Sequence, residues 1–141
     1  FWLTQATISH MRLQQYGTII LIGSEQSIIA KPNSSVYGMT KSALASLAKS
    51  TALDYARFNI RVNYIAAGTI DTPLYRTAIA KYSKKSGISL AQIKREEAML
   101  QPVGRIGKPE EVANLTYFLV QDDVSFITGA IIPIDGGYTT C

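Results

Sequence analysis

Residues 17–24 read Gly17-Thr-Ile-Ile-Leu-Ile-Gly-Ser24, and thirteen positions after that serine the chain reads Tyr37-Gly-Met-Thr-Lys41. The first run is short, apolar and rich in β-branched residues, with a glycine near each end. This pattern predicts a fully buried strand. Ser24 is then expected to lie where the strand ends.

The residues that follow change to a helical pattern. Leu44, Leu47 and Ala48 have the spacing of a single helical face, and Ser34 or Ser35 is available as an N-cap. We predict a helix over residues 36–57. Tyr37 and Lys41 then lie one turn apart on the same face of this helix.

Such a trio is suited to moving a proton to or from a carbonyl or alcohol oxygen. A free tyrosine, with a pKa near ~10, is a poor base at neutral pH. A lysine ammonium one turn away favours the phenolate form and makes Tyr37 a candidate general acid/base. Ser24 can donate a hydrogen bond to the substrate oxygen, where charge develops.

A Tyr-x-x-x-Lys pair alone is weak evidence, because a chain with eight tyrosines can contain one by chance. The order of the surrounding features is more specific. The chain carries, in order, a strand, Ser24, a thirteen-residue step, Tyr37 and Lys41, a helix of small residues and a second apolar strand. This order resembles the catalytic segment of the short-chain dehydrogenase/reductase family. The resemblance implies that Ser24, Tyr37 and Lys41 act as one catalytic unit, in which Tyr37 and Lys41 also contact the cofactor.

The second apolar strand is predicted over residues 59–66, parallel to the first. Gly68 follows it, at the edge where α/β sheets bind cofactors, and a glycine there lets backbone approach a ligand. Residues 67–73 resemble the family's Pro-Gly-x-x-x-Thr-Pro motif, with Ala67 in place of the proline. The resemblance implies that Ile70 and Thr72 contact the nicotinamide carboxamide.

Residues 74–100 are predicted to form a substrate lid. We expect two short helices separated by a flexible stretch at residues 83–87, the second opened by a capping box at Ser89. Tyr75, Arg76 and Tyr82 are candidate substrate contacts; the alternative is that they are ordinary surface residues.

The remaining segments are interpreted as structural. Pro109 stands at the first turn of a helix expected to run to about residue 120, and residues 128–137 give a last strand and a glycine turn. Residues 1–15 predict a helix that packs on the sheet. His10 lies in it as a surface or interface residue, since nothing in the sequence has metal-ligand spacing.

Composition excludes several classes of protein. The net charge is +4, but the basic residues are dispersed, so we expect no nucleic-acid partner. No apolar run approaches the length of a membrane span, and the start of the chain does not resemble a secretory signal. The single cysteine, Cys141, excludes an internal disulfide and suits a reducing, cytoplasmic compartment.

The first half of the family's domain has no counterpart in this sequence. Neither G-x-G-x-x-G nor its Thr-Gly-x-x-x-Gly-x-Gly relative occurs, so no turn suited to a dinucleotide pyrophosphate is found and the choice between NAD and NADP cannot be read. We therefore expect one partial domain over residues 1–141, the C-terminal half of a doubly wound parallel sheet of Rossmann type. The functional polypeptide is expected to be longer at its N-terminus.

These observations predict an NAD(P)-dependent oxidoreductase that interconverts a secondary alcohol and a ketone, with Tyr37 as the general acid/base. Helices 1–15 and 36–57 are rich in small or apolar residues, and the resemblance implies a homodimer or homotetramer formed through them. The alternative is a catalytically incompetent half-domain that serves as an interaction or oligomerisation module. Nothing in the sequence identifies the substrate.

Overall fold

The computed structural model describes residues 1–140, which form a three-strand parallel sheet with helices packed against it. The strands lie side by side in chain order: β1 (Gly17–Ile22), β2 (Ile60–Ala67) and β3 (Ile131–Ile134). The helices are α1 (Trp2–Gln14), α2 (Ser35–Tyr55), α3 (Pro73–Ser86), α4 (Leu90–Met99) and α5 (Pro109–Val120). Parallel strands that alternate with helices are the Rossmann-type arrangement, present here in part.

Strand β2 is the centre of the molecule. One face carries Ile60, Val62, Tyr64 and Ala66, all fully buried against the small residues Ala45, Ala48 and Ala52 of α2. Small side chains on the helix let it approach the sheet closely, and burial of the apolar residues of β2 stabilises the pair. This contact fixes the position of α2, and with it Tyr37, relative to the sheet.

The opposite face of β2 buries two polar side chains, Arg61 and Asn63. Arg61 donates to the carbonyls of Gln121 and Ile127, at 3.2 Å each. Asn63 donates to the carbonyl of Ile127 at 2.8 Å and accepts the N–H of Ala130 at 3.1 Å. Buried polar groups are stable only when paired, so β2 holds the loop between α5 and β3 against the sheet.

The prediction that the first strand is fully buried is wrong. Within residues 1–140, β1 pairs only with β2 and lies at the edge of the sheet. Gly17 is buried, the next four residues are half-buried and Ile22 is exposed. An apolar run without polar alternation is typical of a buried strand, but full burial also requires a strand or helix on each side of it.

Two helix boundaries also differ from the predicted ones. Helix α2 ends at Tyr55 and continues only as a 3₁₀ turn over Ala56–Phe58. The stretch 83–87, predicted to be flexible, is helical through Ser86, and the chain leaves the helix at Gly87 with a φ of 76°. The two-helix prediction for this region is confirmed. Ser89 caps α4 by accepting the N–H of Gln92, but the predicted capping box is only half formed, because the side chain of Gln92 donates to Glu96. Cys141 lies outside the described residues.

All three strands point their carboxyl ends toward one edge of the sheet, because they are parallel. Ser24 follows β1, Gly68 follows β2 and Asp135 follows β3. The N-terminal part of α2 and helices α3 and α4 lie around this edge, where open α/β sheets bind their ligands.

Candidate active site

A cavity of about 1170 Å³ lies at the carboxyl ends of β1 and β2. Residues of helices α3, α4 and α5 also line it. Most of the predicted site residues line this cavity: Ser24, Tyr37, Gly68, Ile70, Thr72, Tyr75 and Tyr82. Lys41 and Arg76 do not line it.

Ser24 is 5% exposed and is held through both its backbone and its side chain. Its N–H donates to the hydroxyl of Tyr64 at 2.8 Å. Its own hydroxyl donates to Glu25 Oε2 at 2.7 Å and accepts the N–H of Gln26 at 3.3 Å, which caps the 3₁₀ turn Glu25–Ser27. The serine oxygen therefore has a fixed position on the cavity wall.

Tyr37 stands in the first turn of α2 and is 47% exposed. Among the described residues its hydroxyl has no hydrogen-bond partner, so it is free to bond a molecule in the cavity. The ammonium of Lys41 lies 5.4 Å from the centre of the Tyr37 ring. The structure therefore places the lysine charge beside the tyrosine ring, as the one-turn spacing predicted.

Tyr64 connects Ser24 with Lys41, and sequence reasoning did not include it in the site. Its ring is fully buried under α2. Its hydroxyl accepts the N–H of Ser24 and lies 3.2 Å from the carbonyl oxygen of Ser24 and 3.4 Å from that of Lys41. The available signal was a tyrosine within a buried strand, because a buried tyrosine hydroxyl needs a partner.

Gly68, Ile70 and Thr72 form the wall that follows β2. A Cβ at Gly68 would lie 2.7 Å from Cα of Asp135, so glycine is required here by close packing against the end of β3. Ile70 is held in place by Gly107, whose carbonyl accepts the N–H of Asp71 at 2.9 Å.

Thr72 is the N-cap of α3. Its hydroxyl accepts the N–H of Tyr75 at 3.2 Å, and its own proton has no acceptor among the described residues. Thr72 can therefore donate a hydrogen bond to a carbonyl oxygen in the cavity.

The candidate substrate contacts occupy different environments. The hydroxyl of Tyr75 is buried and has no hydrogen-bond partner in residues 1–140. Burial, followed by the charges of Glu97 and Asp71, raises the pKa of Tyr75, which keeps this hydroxyl a donor. Tyr82 lines the cavity farther along α3. The guanidinium of Arg76 is paired with both carboxylate oxygens of Asp71, at 2.8 and 3.0 Å.

An ion pair that sequence reasoning missed lies beside Ser24. Lys31 Nζ is 2.7 Å from Glu25 Oε1, and Glu25 is 5% exposed. The same ammonium lies 4.5 Å from the centre of the Tyr138 ring. Both charged residues line the cavity. Their pairing depends on the path of the loop after β1, which neither periodicity nor spacing reveals.

Two hydrogen-bond donors at or near this wall are of the kind that the nicotinamide end of a dinucleotide needs. The unpaired hydroxyl proton of Thr72 suits a carboxamide oxygen, and the Lys41 ammonium has no carboxylate partner within residues 1–140. Within the same range no three His, Cys, Asp or Glu side chains are grouped to hold a metal ion. No helix of that part of the chain is long and apolar enough to cross a bilayer.

Comparison with known proteins identifies the family. The family described as enoyl-(acyl carrier protein) reductase matches residues 1–139. A crystal structure of a short chain dehydrogenase family protein from Francisella tularensis is 48% identical and superposes with a TM-score of 0.86 over 88% of this chain and 51% of the other. The chain belongs to the short-chain dehydrogenase/reductase family.

The names of relatives within the short-chain dehydrogenase/reductase family give different substrates. Cis-4-hydroxycyclohexanecarboxylate dehydrogenase of Sinomonas cyclohexanicum is 39% identical, over 94% of this chain and 49% of its own length. A gluconate 5-dehydrogenase from Burkholderia cenocepacia, solved in complex with NADP and tartrate, is 31% identical with a TM-score of 0.85, over 97% of this chain and 50% of that one. The chain thus spans about half the length of these relatives.

Proposed function

We propose that the protein is an NAD(P)-dependent oxidoreductase that interconverts a secondary alcohol and a ketone. The observation that carries the proposal is that Ser24 and Tyr37 line the same cavity as Gly68, Ile70 and Thr72. Family membership and the NADP complex of the gluconate 5-dehydrogenase support a nicotinamide cofactor.

In the proposed reaction Tyr37 exchanges a proton with the substrate oxygen. The ammonium of Lys41 lies 5.4 Å from the centre of the tyrosine ring, so a positive charge stands close to the group that exchanges the proton. Ser24 donates a hydrogen bond to the substrate oxygen as negative charge develops there. The nicotinamide, when bound, accepts or supplies the hydride.

The cofactor contacts are proposed for five residues. Tyr37 lines the cavity, and Lys41 lies one turn farther along α2 with its ammonium beside the Tyr37 ring; both are suited to the ribose hydroxyls of the nicotinamide nucleotide. Gly68, Ile70 and Thr72 lie on the β2 side, where the Thr72 hydroxyl can donate to the carboxamide.

Helices α3 and α4 are proposed to form the substrate lid. Tyr75 is the favoured contact, because this residue lines the cavity and its buried hydroxyl has no partner among residues 1–140. Tyr82 adds a second aromatic wall. A direct contact by Arg76 would require it to leave Asp71.

A homo-oligomer formed through α1 and α2 is also proposed. Large apolar side chains on both helices face away from the sheet and are exposed: Trp2, Leu3 and Leu13 on α1, and Met39 and Leu53 on α2. Exposed apolar groups clustered on neighbouring helices are typical of protein interfaces.

The natively expressed protein, isolated from its own source, tests the proposed function. We expect a change in NADH or NADPH fluorescence on titration, and nucleotide-dependent oxidation of at least one alcohol in a panel that includes cyclohexanol, 2-butanol and glucitol. Failure to bind either nucleotide, with no turnover, would overturn the proposal.

A further inference from the structure

A chain of hydrogen bonds links the proposed catalytic serine to a buried ion pair. Ser24 Oγ lies 2.7 Å from Glu25 Oε2, and the other oxygen of Glu25 lies 2.7 Å from Lys31 Nζ. The side chain of Glu25 is 6% exposed and that of Lys31 27%. A charge this deeply buried is stable only with its partner, so the pair fixes the carboxylate beside Ser24.

The hydrogen-bonding capacity of Ser24 is nearly used up in this arrangement. A serine hydroxyl has one proton to donate and two lone pairs to accept with. The carboxylate of Glu25 has no proton to give, so the Ser24 proton points at it, and one lone pair accepts the N–H of Gln26. Ser24 has no proton left for a substrate oxygen unless it turns away from Glu25.

A ketone or alcohol oxygen competes poorly with Glu25 for that proton. Hydrogen bonds to a charged acceptor are roughly twice as strong as those between neutral groups. While the substrate oxygen is neutral, the Ser24 hydroxyl therefore stays hydrogen-bonded to Glu25. As hydride transfer proceeds, the same oxygen acquires negative charge and becomes an acceptor comparable with the carboxylate.

Lys31 is the charged partner of the Glu25 carboxylate. Burial opposes the ammonium charge, but the hydrogen bond to Glu25 and the nearby charges of Glu25, Tyr138 and Glu97 outweigh it and raise the pKa of Lys31. The ammonium also lies against the face of the Tyr138 ring, a favourable position for a cation.

We propose that Glu25 is a positioning residue that reserves the hydrogen bond of Ser24 for the transition state. The inference rests on the proposed function, since it requires a substrate oxygen that gains charge beside Ser24. An interaction made only in the transition state raises kcat, whereas one made already with bound substrate lowers KM. Because Glu25 holds the Ser24 proton until charge develops on the substrate oxygen, we expect the hydrogen bond from Ser24 to raise kcat and to leave KM unchanged.

Glu25→Gln reverses the direction of the hydrogen bond at Ser24. The amide oxygen pairs with the Lys31 ammonium, because that is the stronger donor, and the NH₂ group then faces Ser24 Oγ. The shape of the side chain is kept. Ser24 becomes an acceptor on that side, and its proton is free to bond the oxygen of bound ketone.

Steady-state reduction of cyclohexanone by the natively expressed enzyme tests this, with the variants Ser24→Ala, Glu25→Gln and the double variant. We expect Ser24→Ala to lower kcat at least tenfold while KM for cyclohexanone stays within twofold. Glu25→Gln should lower that KM about 2- to 10-fold, the range of one added hydrogen bond, and the effect should vanish in the double variant. An increase in KM with little change in kcat for Ser24→Ala would overturn the inference.

A second readout does not depend on turnover. The infrared carbonyl stretch of ¹³C-labelled cyclohexanone, bound at saturation with the oxidised nucleotide, reports hydrogen bonds to its oxygen. We expect equal frequencies in the wild-type protein and in Ser24→Ala, and a lower frequency in Glu25→Gln that the double variant restores. A wild-type frequency lower than that of Ser24→Ala would contradict the inference even if the proposed reaction fails for other reasons.

Discussion

Ser24 is held in the cavity wall by a tyrosine that makes no contact with the cavity itself. The fully buried Tyr64 accepts the backbone N–H of Ser24, and its hydroxyl also lies near the carbonyl of Lys41. A strand residue thus fixes the positions of two of the three proposed catalytic residues. Its removal should affect stability and catalysis together.

Tyr64→Phe tests this directly. Loss of the hydroxyl leaves the buried N–H of Ser24 without a partner, which should lower the free energy of unfolding by about 1–3 kcal/mol. Urea unfolding followed by circular dichroism measures the change. Tyr117→Phe, at an exposed position on α5, is the matched control and should be close to neutral. Equal stability of the two variants would show that the Tyr64 hydroxyl does not hold Ser24.

Gly23 and Gly38 give opposite predictions for the same substitution. A Cβ at Gly23 would lie 1.8 Å from the Tyr64 hydroxyl oxygen, whereas at Gly38 the nearest atom, the carbonyl oxygen of Gln26, is 3.7 Å away. Gly23→Ala should therefore destabilise the protein by about 1–3 kcal/mol through overpacking. Gly38→Ala should stabilise helix α2 by up to about 1 kcal/mol. Thermal unfolding of both variants measures the difference, and a stabilised Gly23→Ala would contradict the packing described for Tyr64.

Among the elements, α5 has an N-terminus whose stability depends on pH. The hydrogen bonds from Arg105 and from the backbone N–H of Lys108 lower the pKa of Glu111 from an ordinary 4.5 to about 2. A carboxyl whose pKa is lower in the folded state stabilises the fold above its unfolded pKa. That stabilisation is lost as the pH falls from about 4.5 to about 2.

Glu111→Gln should therefore remove part of the acid sensitivity of the protein. We expect the difference in Tm between wild type and variant to be largest above pH 5 and to shrink as the pH approaches 2. Differential scanning calorimetry over this range measures it. A Tm difference that does not change with pH would show that the charge of Glu111 contributes nothing to the stability of α5.

The elements themselves were largely predictable from local pattern. Pro109 predicted the start of α5, and the apolar face that follows it predicted where α5 ends. The Ser89 cap predicted the start of α4. The errors lie where tertiary context decides. Nothing local shows that β1 has one strand partner within residues 1–140, or that the polar residues of 83–86 continue α3 until a glycine ends it.

The residues of the candidate site also fall into two groups: those that local sequence pattern predicts and those that depend on tertiary contacts. Sequence spacing predicted Ser24 and Tyr37 together, and the structure brings both to one cavity, because Ser24 follows the end of β1 and Tyr37 lies in the first turn of the next helix, α2. Tyr64, Glu25 and Lys31 were missed because their partners depend on how α2 and the loop after β1 fold back over the sheet. The packing role of Gly68 against Asp135 likewise requires the third strand.

At the scale of the whole molecule, the free edge of β1 predicts self-association. Within residues 1–140, β1 pairs with β2 alone, and its sequence carries no charge or proline. An apolar edge strand with unpaired backbone groups is a template for pairing with another chain. The apolar residues exposed on α1 and α2 add to this tendency.

The 141-residue polypeptide expressed alone should therefore form concentration-dependent oligomers or aggregates. Sedimentation velocity over a hundredfold range of concentration measures this, with the natively expressed protein as the comparison. A monomer that unfolds cooperatively at every concentration would show that the three-strand sheet is self-sufficient.

The central claim is that Tyr37 exchanges a proton with the substrate during nicotinamide-dependent oxidoreduction. The most direct test is the turnover of Tyr37→Phe in the natively expressed protein, with Tyr117→Phe as the control and the urea midpoint as a check of folding. We expect Tyr37→Phe to lose at least about 100-fold in kcat, the contribution of general acid–base catalysis, with an unchanged urea midpoint and a fully active control. Turnover within twofold of wild type would contradict the claim and favour the alternative of a non-catalytic interaction module.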